Sequence, residues 1–241
     1  MSFYIRYATH MRLHRFYVLQ PLGEEVVIQD VSLVTQWFTV FRYRTGDSVI
    51  LFNGDGNDYQ YTLQSITKKD CVLVFVRKQE TYIPPSQVTL YLSIIKKDNF
   101  ELVVQKATEL GVTTIVPILS SRSEKKNLSM ERLRKIAVEA SEQCGRGDIP
   151  TLAEIAPLNT ISKEHCNGKN VLLFSLYCKS LKGDLPTLRE KHILLFIGPE
   201  GGWSEADIAH LTDCGALSYS LGKTTLRAET AAIAACTLLC L

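Results

Sequence analysis

The residues whose types and spacing could do chemistry are concentrated in two short segments near the C-terminus. The first, GPEGG at 198–202, follows directly on the apolar run Ile193–Ile197. The second, 221–226, surrounds Gly222 and follows a short apolar run at 216–221. Glycine lets a backbone come close to a ligand, and proline stiffens a loop. A single GPEGG is equally typical of an ordinary strand–helix turn, but two such loops favour a ligand site built largely from main-chain atoms.

Charged side chains flank these loops and are candidates to act on a bound substrate. Arg227 begins the last predicted helix, where a cation opposes the helix dipole, so this position favours a functional role or an interface. Glu229 suits the same helix end electrostatically. Glu200 either accepts amide hydrogens inside its own loop or faces a substrate, and the residues alone leave both interpretations open.

The elements that must position these loops alternate between strand and helix from residue 88 onward. The predicted strands are 88–95, 112–119, 171–176, 193–197 and 216–221, and the predicted helices are 99–110, 129–144, 204–214 and 227–241. Ser204 and Asp207 have the spacing of a capping box, and Gly215 has the position of a helix C′ residue. Such alternation predicts an α/β domain, and open α/β sheets bind ligands at the carboxyl ends of their strands.

The residues before 88 consist of short strand patterns separated by turn signals. NGDG at 53–56 predicts a hairpin turn, and 31–43 predicts one helix, so a small β-barrel is the economical interpretation. Pro84 and Pro85 are unsuited to a helix interior and indicate a linker. The predicted division is an extension at 1–10, a β-barrel at 11–78, a linker at 79–87 and an α/β domain at 88–241.

The composition excludes several classes of protein. The 241 residues carry a net charge of +2, so any RNA contact must come from a local patch. Seven scattered cysteines without a C-x-x-C pair predict reduced, buried thiols rather than disulfides or zinc. The five histidines lack ligand spacing, which predicts no metal site. No apolar run reaches membrane-spanning length and no signal peptide is evident, so we expect a cytoplasmic protein with no membrane partner.

Basic residues suggest where RNA would bind. The segment RLHRFY at 12–17 mixes cations with aromatic rings, a combination that suits phosphate pairing and base stacking. Four further cations stand where predicted strands or helices end: Lys96, Lys97, Arg122 and Arg146. Each is equally well explained as a solvated surface residue, so none identifies an RNA site alone.

In combination, these motifs resemble the RsmE family of bacterial ribosomal RNA methyltransferases, part of the SPOUT superfamily. The resemblance runs from Met11 to the C-terminus. Its motifs are MR at 11–12 with RF at 15–16, Lys97 with QKATELG at 105–111, Pro117 with RS at 122–123, EA at 139–140 with EQCGR at 142–146, IGPEGG at 197–202, and LG at 221–222 with LRAETA at 226–231. Ala228 stands where the family usually has Thr, and Leu133 where an aromatic residue is usual. Neither departure removes a group assigned to chemistry.

The resemblance implies a fold and a reaction. It implies an N-terminal PUA-like β-barrel for RNA and a C-terminal SPOUT domain, α/β in class, that is tied in a deep trefoil knot. It also implies a homodimer that uses S-adenosylmethionine to methylate N3 of a uridine in the 16S rRNA of the small ribosomal subunit. The implied cofactor contacts are Phe174, Ser175, Leu176, Ile197, Gly198, Pro199, Glu200, Gly201, Gly202, Ser220, Leu221, Gly222 and Leu226.

Roles for the charged side chains follow from that reaction. N3 of uracil must lose its proton before it can attack, and negative charge then spreads onto O2 and O4. We expect Arg227 to stabilise this charge, with Arg122 as second candidate, while Glu200 and Glu229 are candidate bases and water is an alternative. The predicted contacts to RNA phosphates are Arg12, Arg15, Lys97 and Arg146.

Two other functions fit the residues without the resemblance. GPEGG could hold a phosphate-bearing cofactor at a helix N-terminus, although the usual loop Lys or Ser pattern is missing. Alternatively, the chain could be a non-catalytic RNA-binding protein. Saturable binding of S-adenosylmethionine would distinguish a methyltransferase from both of these alternatives.

Overall fold

The computed structural model describes residues 13–85, 87–123, 128–181, 188 and 192–241. The chain divides into two compact units, Met1–Thr81 and Tyr82–Leu241, which are described separately below. Predicted contact Arg12 lies outside the described residues.

The first unit contains a five-stranded sheet. Its strands are β1 (Arg15–Tyr17), β2 (Glu25–Ile28), β3 (Ser48–Phe52), β4 (Asn57–Ile66) and β5 (Cys71–Glu80), in the order β1-β3-β4-β5-β2. β1 is parallel to β3, and the other pairings are antiparallel. The predicted turn at 53–56 joins β3 to β4 and is confirmed. Phe16 from one edge strand and Ile28 from the other share one apolar core with Trp37, so the sheet curls around that core.

The helix predicted at 31–43 is present but irregular. It begins as α1 (Val31–Thr35), where Asp30 accepts a hydrogen bond from the Leu33 amide at 3.0 Å, and continues as a π-helix over Gln36–Phe41. Arg42 ends it in a left-handed conformation with φ 54°.

The second unit is an α/β domain around a seven-stranded sheet. Its strands are β6 (Val88–Ser93), β7 (Thr114–Leu119), β8 (Thr151–Leu152), β9 (Ala156–Pro157), β10 (Asn170–Ser180), β11 (Ile193–Ile197) and β12 (Leu217–Ser220). Their order is β12-β10-β11-β6-β7-β8, β9 also pairs with β7, and these pairings are parallel. The carboxyl ends of β11, β12 and β6 therefore lie at one edge.

Helices cover both faces of this sheet. They are α2 (Lys97–Leu110), α3 (Met130–Cys144), α4 (Lys163–Cys166), α5 (Glu205–Asp213) and α6 (Ala228–Cys240), with a 3-10 turn at Leu158–Thr160. Strand β6 shows why both faces are buried: Leu90 and Leu92 pack into the core under α2, α3 and α6, whereas Tyr91 packs into the core under α5. Such two-sided burial explains the continuous apolar runs of the strands.

The helix patterns of the sequence are confirmed with small shifts at the ends. Phe100, Val103, Val104 and Ala107 of α2 are buried on one face, and Gly111 ends the helix with φ +102°. The predicted linker segment is shared between the units. Its residues 79–80 pair with β4, and Tyr82 forms a bridge with Arg146.

Two arginines predicted to contact RNA are internal instead. Arg15 is 7% exposed, pairs with both carboxylate oxygens of Asp58 and lies 4.3 Å from the centre of the Phe52 ring. Arg146 is 3% exposed, pairs with Asp148 at 2.8 Å and donates to the backbone carbonyls of Thr108 and Val112. The prediction of phosphate contacts was therefore wrong for both, because buried charges must find their partners inside the protein.

The remaining compositional predictions give mixed outcomes. None of the seven cysteines forms a disulfide, as predicted, but burial was wrong for three of them: Cys144 is exposed, and Cys178 and Cys240 are half-buried. Within the described residues, no helix is both long and apolar enough to cross a membrane. In the same part of the chain, no cluster of three or more His, Cys, Asp or Glu side chains is suited to a metal ion.

Candidate active site

A cavity of about 840 Å³ opens at the carboxyl edge of the sheet in the second unit. This volume lies in the range of small-molecule sites, roughly 300–1,000 Å³. Its lining is formed by Lys96, Asn99, Phe174, Ser175, residues 197–203, Ile208, residues 220–222, residues 224–229 and Ala231. The structure thus brings together both glycine loops and every predicted cofactor contact except Leu176, for which only its place in β10 is described.

The first loop owes its shape to a tight turn and to Trp203. The amide of Gly202 donates to the carbonyl of Pro199 at 2.9 Å, and Gly202 has φ +69°. A β-carbon on Gly198 would lie 3.0 Å from the indole ring of Trp203, so glycine is needed there for close approach. Trp203 itself donates from Nε1 to the carbonyl of Phe174 at 3.1 Å, which ties this loop to β10. Sequence reasoning missed Trp203, because a lone Trp beside a glycine run has no distinctive spacing.

Glu200 and Arg122, both predicted to act in catalysis, hold this loop at the cavity rim. The amide of Lys96 donates to Oε1 of Glu200 at 3.2 Å, and Nη1 of Arg122 donates to the carbonyl of Gly201 at 3.0 Å. Lys96 is the N-cap of α2 and makes no side-chain capping bond, and the Glu200 carboxylate accepts a hydrogen bond from the amide of this N-cap residue, as an N3 carboxylate does in a capping box. Glu200 therefore accepts an amide hydrogen, but from a neighbouring loop rather than its own.

The second loop is braced by one serine side chain. Oγ of Ser220 donates to the carbonyl of Gly222 at 2.7 Å and accepts from the Gly222 amide at 3.2 Å. These two bonds fix the local conformation of a loop that lines the cavity.

Helix α6 begins at the cavity with one exposed cation and one buried anion. Arg227 is the N-cap, makes no side-chain capping bond and is exposed. Glu229 is 9% exposed and shares the inward face of the helix with Ala232 and Cys236.

Asp207 anchors the helix that follows the first loop. The predicted capping box is confirmed: Asp207 accepts from the Ser204 amide at 3.0 Å, and the Ser204 hydroxyl accepts from the Asp207 amide at 3.1 Å. The hydroxyl of Ser121 also donates to Asp207 at 2.9 Å. Burial acts to raise the pKa of Asp207, but the hydrogen bonds from Ser204 and Ser121 outweigh it and lower that pKa below its usual value.

Replacing Asp207 by Asn should lower the free energy of unfolding by about 1–2 kcal/mol at neutral pH, because bonds to a charged acceptor are lost. The folded pKa is depressed, so this stabilisation is present above the unfolded pKa of about 3.9 and disappears as pH falls through the folded value. Urea titrations at pH 7 and pH 3 measure the difference. Asp213→Asn is the control, since Asp213 forms only an exposed pair with Lys163 at 3.7 Å and should change little at either pH. If Asp207→Asn lowered the free energy of unfolding by the same amount at both pH values, the role of the Asp207 charge would be contradicted.

Among the predicted RNA contacts that lie in the described part of the chain, Lys97 is the one with an exposed side chain. It is 59% exposed and lies 3.8 Å from Glu101 at the start of α2.

Comparison with known proteins identifies the family. Residues 83–240 match the model of the RNA methyltransferase domain, and residues 38–76 match that of the RNA methyltransferase PUA domain. Ribosomal RNA small subunit methyltransferase E of Bacillus subtilis is 30% identical over 212 residues, with 80% of each chain covered. The chain belongs to the ribosomal RNA small subunit methyltransferase E family. The protein of the same name from Rickettsia conorii is 29% identical and covers 93% of this chain and 94% of its own.

Membership of the methyltransferase E family confirms the predicted resemblance and the enzyme class, an RNA methyltransferase. Solved structures agree. The family member from Neisseria gonorrhoeae, determined with bound S-adenosylmethionine, has a TM-score of 0.80 and 28% identity over 93% of this chain and 95% of its own. A Legionella pneumophila structure described as a methyltransferase with bound SAM has a TM-score of 0.83 and 29% identity, covering 95% and 97%.

Proposed function

We propose that this chain transfers a methyl group from S-adenosylmethionine to N3 of a uridine in the 16S rRNA of the small ribosomal subunit. The observation that carries the proposal is the convergence of three main-chain segments, at 174–175, 197–203 and 220–222, on one cavity of about 840 Å³. Relatives of this family were solved with S-adenosylmethionine bound. The proposed compartment is the cytoplasm.

The cavity fits a nucleoside donor. Main-chain N–H and C=O groups of the loops can read an adenine edge, and glycine at 198 leaves room for the Trp203 indole in the cavity wall. S-adenosylmethionine supplies a methyl group on a sulfonium whose leaving group is a neutral thioether. The loops would hold that donor, while the hydrogen bonds of Glu200 and Arg122 keep the first loop in place.

The acceptor must come from the open side, where Arg227 is exposed. A cation there stabilises the negative charge that spreads onto O2 and O4 when N3 loses its proton. Because Glu200 is engaged with Lys96 and Glu229 is buried on the inner side, solvent water is the proposed proton acceptor. Alignment of the two substrates supplies the rest of the acceleration.

A deep trefoil knot and a homodimer are part of the proposal. In support of the knot, β12 lies beyond β10, yet α6 returns to pack against α2, β6 and β11. In support of a dimer, the second unit exposes large apolar side chains. They are Tyr82, Ile83, Leu102, Leu119, Leu217 and Leu241.

The test of the function has two stages. Calorimetric titration of S-adenosylmethionine into the purified chain should show saturable binding, which a phosphate-binding enzyme or a non-catalytic RNA-binding protein would lack. Mass mapping of small-subunit rRNA, from a strain deleted for this gene with and without the chain supplied back, should then show one N3-methyluridine that depends on it. Binding without any restored methyl group on rRNA would contradict the proposed substrate.

Lys97 is the proposed phosphate contact. Lys97→Ala should weaken binding of rRNA fragments at low salt and reduce the slope of log K against log salt by about 0.7–0.9, the value for one neutralised phosphate. Lys106→Ala is the matched control on the same helix, because the Lys106 ammonium is already paired with Glu109 at 2.9 Å. Equal slopes for wild type and Lys97→Ala would remove Lys97 from the RNA interface.

A further inference from the structure

The inner side of the cavity carries a buried carboxylate, that of Glu229. Its side chain is 9% exposed, and it lines the cavity beside the second glycine loop. Along α6 it shares a face with Ala232 and Cys236, both 0% exposed. The Glu229 side chain therefore lies on the inward face of the helix while it lines the cavity.

This carboxylate has no partner within the described part of the chain. No hydrogen-bond donor and no cation among those residues reaches it. Asp207, the other buried carboxylate, shows the contrast, since Ser121 and Ser204 satisfy its oxygens. The Glu229 oxygens are not among the fully enclosed atoms that lack a partner, so they keep contact with water, and the dipole of the 13-residue helix α6 favours their negative charge. A ligand that fills the cavity and removes its remaining water must therefore supply positive charge or hydrogen-bond donors.

The positions of Arg227 and Glu229 separate the two substrates. A small ligand is largely buried in its pocket, whereas a nucleotide within a large RNA must approach from the solvent side. The exposed cation therefore faces the acceptor, and the buried anion faces the donor. Of the two substrates, the donor is also the one that carries positive charge, on its sulfonium and on its α-ammonium group.

We propose that Glu229 recognises the positive charge of the methyl donor. This role rests on the proposed function and makes Glu229 the residue that favours a charged nucleoside over a neutral one of the same shape. The sulfonium and the α-ammonium group could each pair with this carboxylate, and the ligands of the test below distinguish the two.

The test compares three ligands by calorimetry at fixed pH and ionic strength. Glu229→Gln should weaken S-adenosylmethionine at least tenfold and 5′-methylthioadenosine, which carries neither charge, less than twofold. S-adenosylhomocysteine keeps the ammonium but not the sulfonium. A tenfold loss for it assigns the contact to the ammonium, and an unchanged affinity assigns it to the sulfonium.

Other outcomes would overturn the proposal. Equal losses for all three ligands would mean a neutral contact, such as one to a ribose hydroxyl. Unchanged affinities with a shifted pH profile of methylation would mean that Glu229 acts on the acceptor proton. Wild type that binds none of the ligands would contradict the proposed function itself, whereas equal binding by wild type and variant would contradict only this role.

Two further variants control for folding and for helix electrostatics. Glu205→Gln removes an exposed carboxylate from the first turn of the neighbouring helix α5, outside the cavity, and should leave all three affinities unchanged. If Glu229→Gln does not fold, Glu229→Asp is the alternative, because it keeps the negative charge but moves the carboxylate away from the ligand by the length of one methylene group. It should again weaken S-adenosylmethionine more than 5′-methylthioadenosine, and equal effects on the two would refute the proposal.

Discussion

Arg227→Ala is expected to slow methyl transfer by about 10²–10³-fold, the usual effect of removing one stabilising group from a developing anion. The side chain is exposed and makes no capping bond, and as a cation at a helix N-terminus it adds no favourable dipole interaction. Its loss should therefore leave the free energy of unfolding nearly unchanged. Single-turnover methylation of rRNA with saturating donor measures the chemical step directly.

Two variants sharpen the Arg227 experiment. Arg227→Lys keeps a charge but loses the planar guanidinium fork, so it should recover part of the rate. Arg134→Ala is the control, because Arg134 is an exposed arginine of α3 that pairs with Glu154 at 2.8 Å, away from the cavity. Donor affinity should change less than about threefold in Arg227→Ala, well below the tenfold that corresponds to 1.4 kcal/mol. A normal single-turnover rate would rule out the proposed role.

Gly198→Ala should abolish or severely weaken donor binding although it adds only one methyl group. The new β-carbon would lie 3.0–3.2 Å from three atoms of the Trp203 indole, so the ring must move. Movement would break its 3.1 Å hydrogen bond to Phe174 and displace the wall of the cavity. We expect donor affinity to fall at least tenfold and the free energy of unfolding to fall by about 1–3 kcal/mol, as for other overpacked sites. Calorimetry and urea unfolding measure the two effects.

A double mutant identifies the cause of the Gly198 effect. Combining Gly198→Ala with Trp203→Phe removes the indole atoms that clash. The double mutant should therefore lose less unfolding free energy than the two single mutants lose together. Gly23→Ala is the control for glycine substitution itself, because a β-carbon there meets nothing within 4 Å. Strictly additive losses at 198 and 203 would show that the two residues do not compete for space.

Local features of the fold were predictable because neighbouring residues determine them. The capping box of Ser204 and Asp207 needs only a spacing of three residues, and the buried face of α2 needs only a helical period. The hairpin at 53–56 followed in the same way from its turn residues. The ends of the elements shifted by a few residues, as at Lys97, because helix and strand ends depend on tertiary contacts.

The site was predictable as a set of loops but not as a set of contacts. Both glycine loops line the cavity, since each follows a parallel strand whose carboxyl end lies at the same edge. The role of Glu200 was not readable from spacing, because its partner Lys96 is 104 residues away. Trp203 was missed because a lone Trp beside a glycine run has no distinctive spacing and because its partner Phe174 lies 29 residues away.

By itself, the sequence determined most of the strands, helices and turns, though not the short β8, β9 and α4, and its motifs determined the family and its chemistry. Only the tertiary structure decided which charges are available for that chemistry. Arg15 and Arg146 carry the same formal charge as Arg227, yet two are buried in ion pairs and one stands exposed at a cavity. The physical reason is that local structure depends on neighbours along the chain, whereas burial depends on which distant strands and helices pack together. The buried, unpartnered Glu229 is a product of that packing.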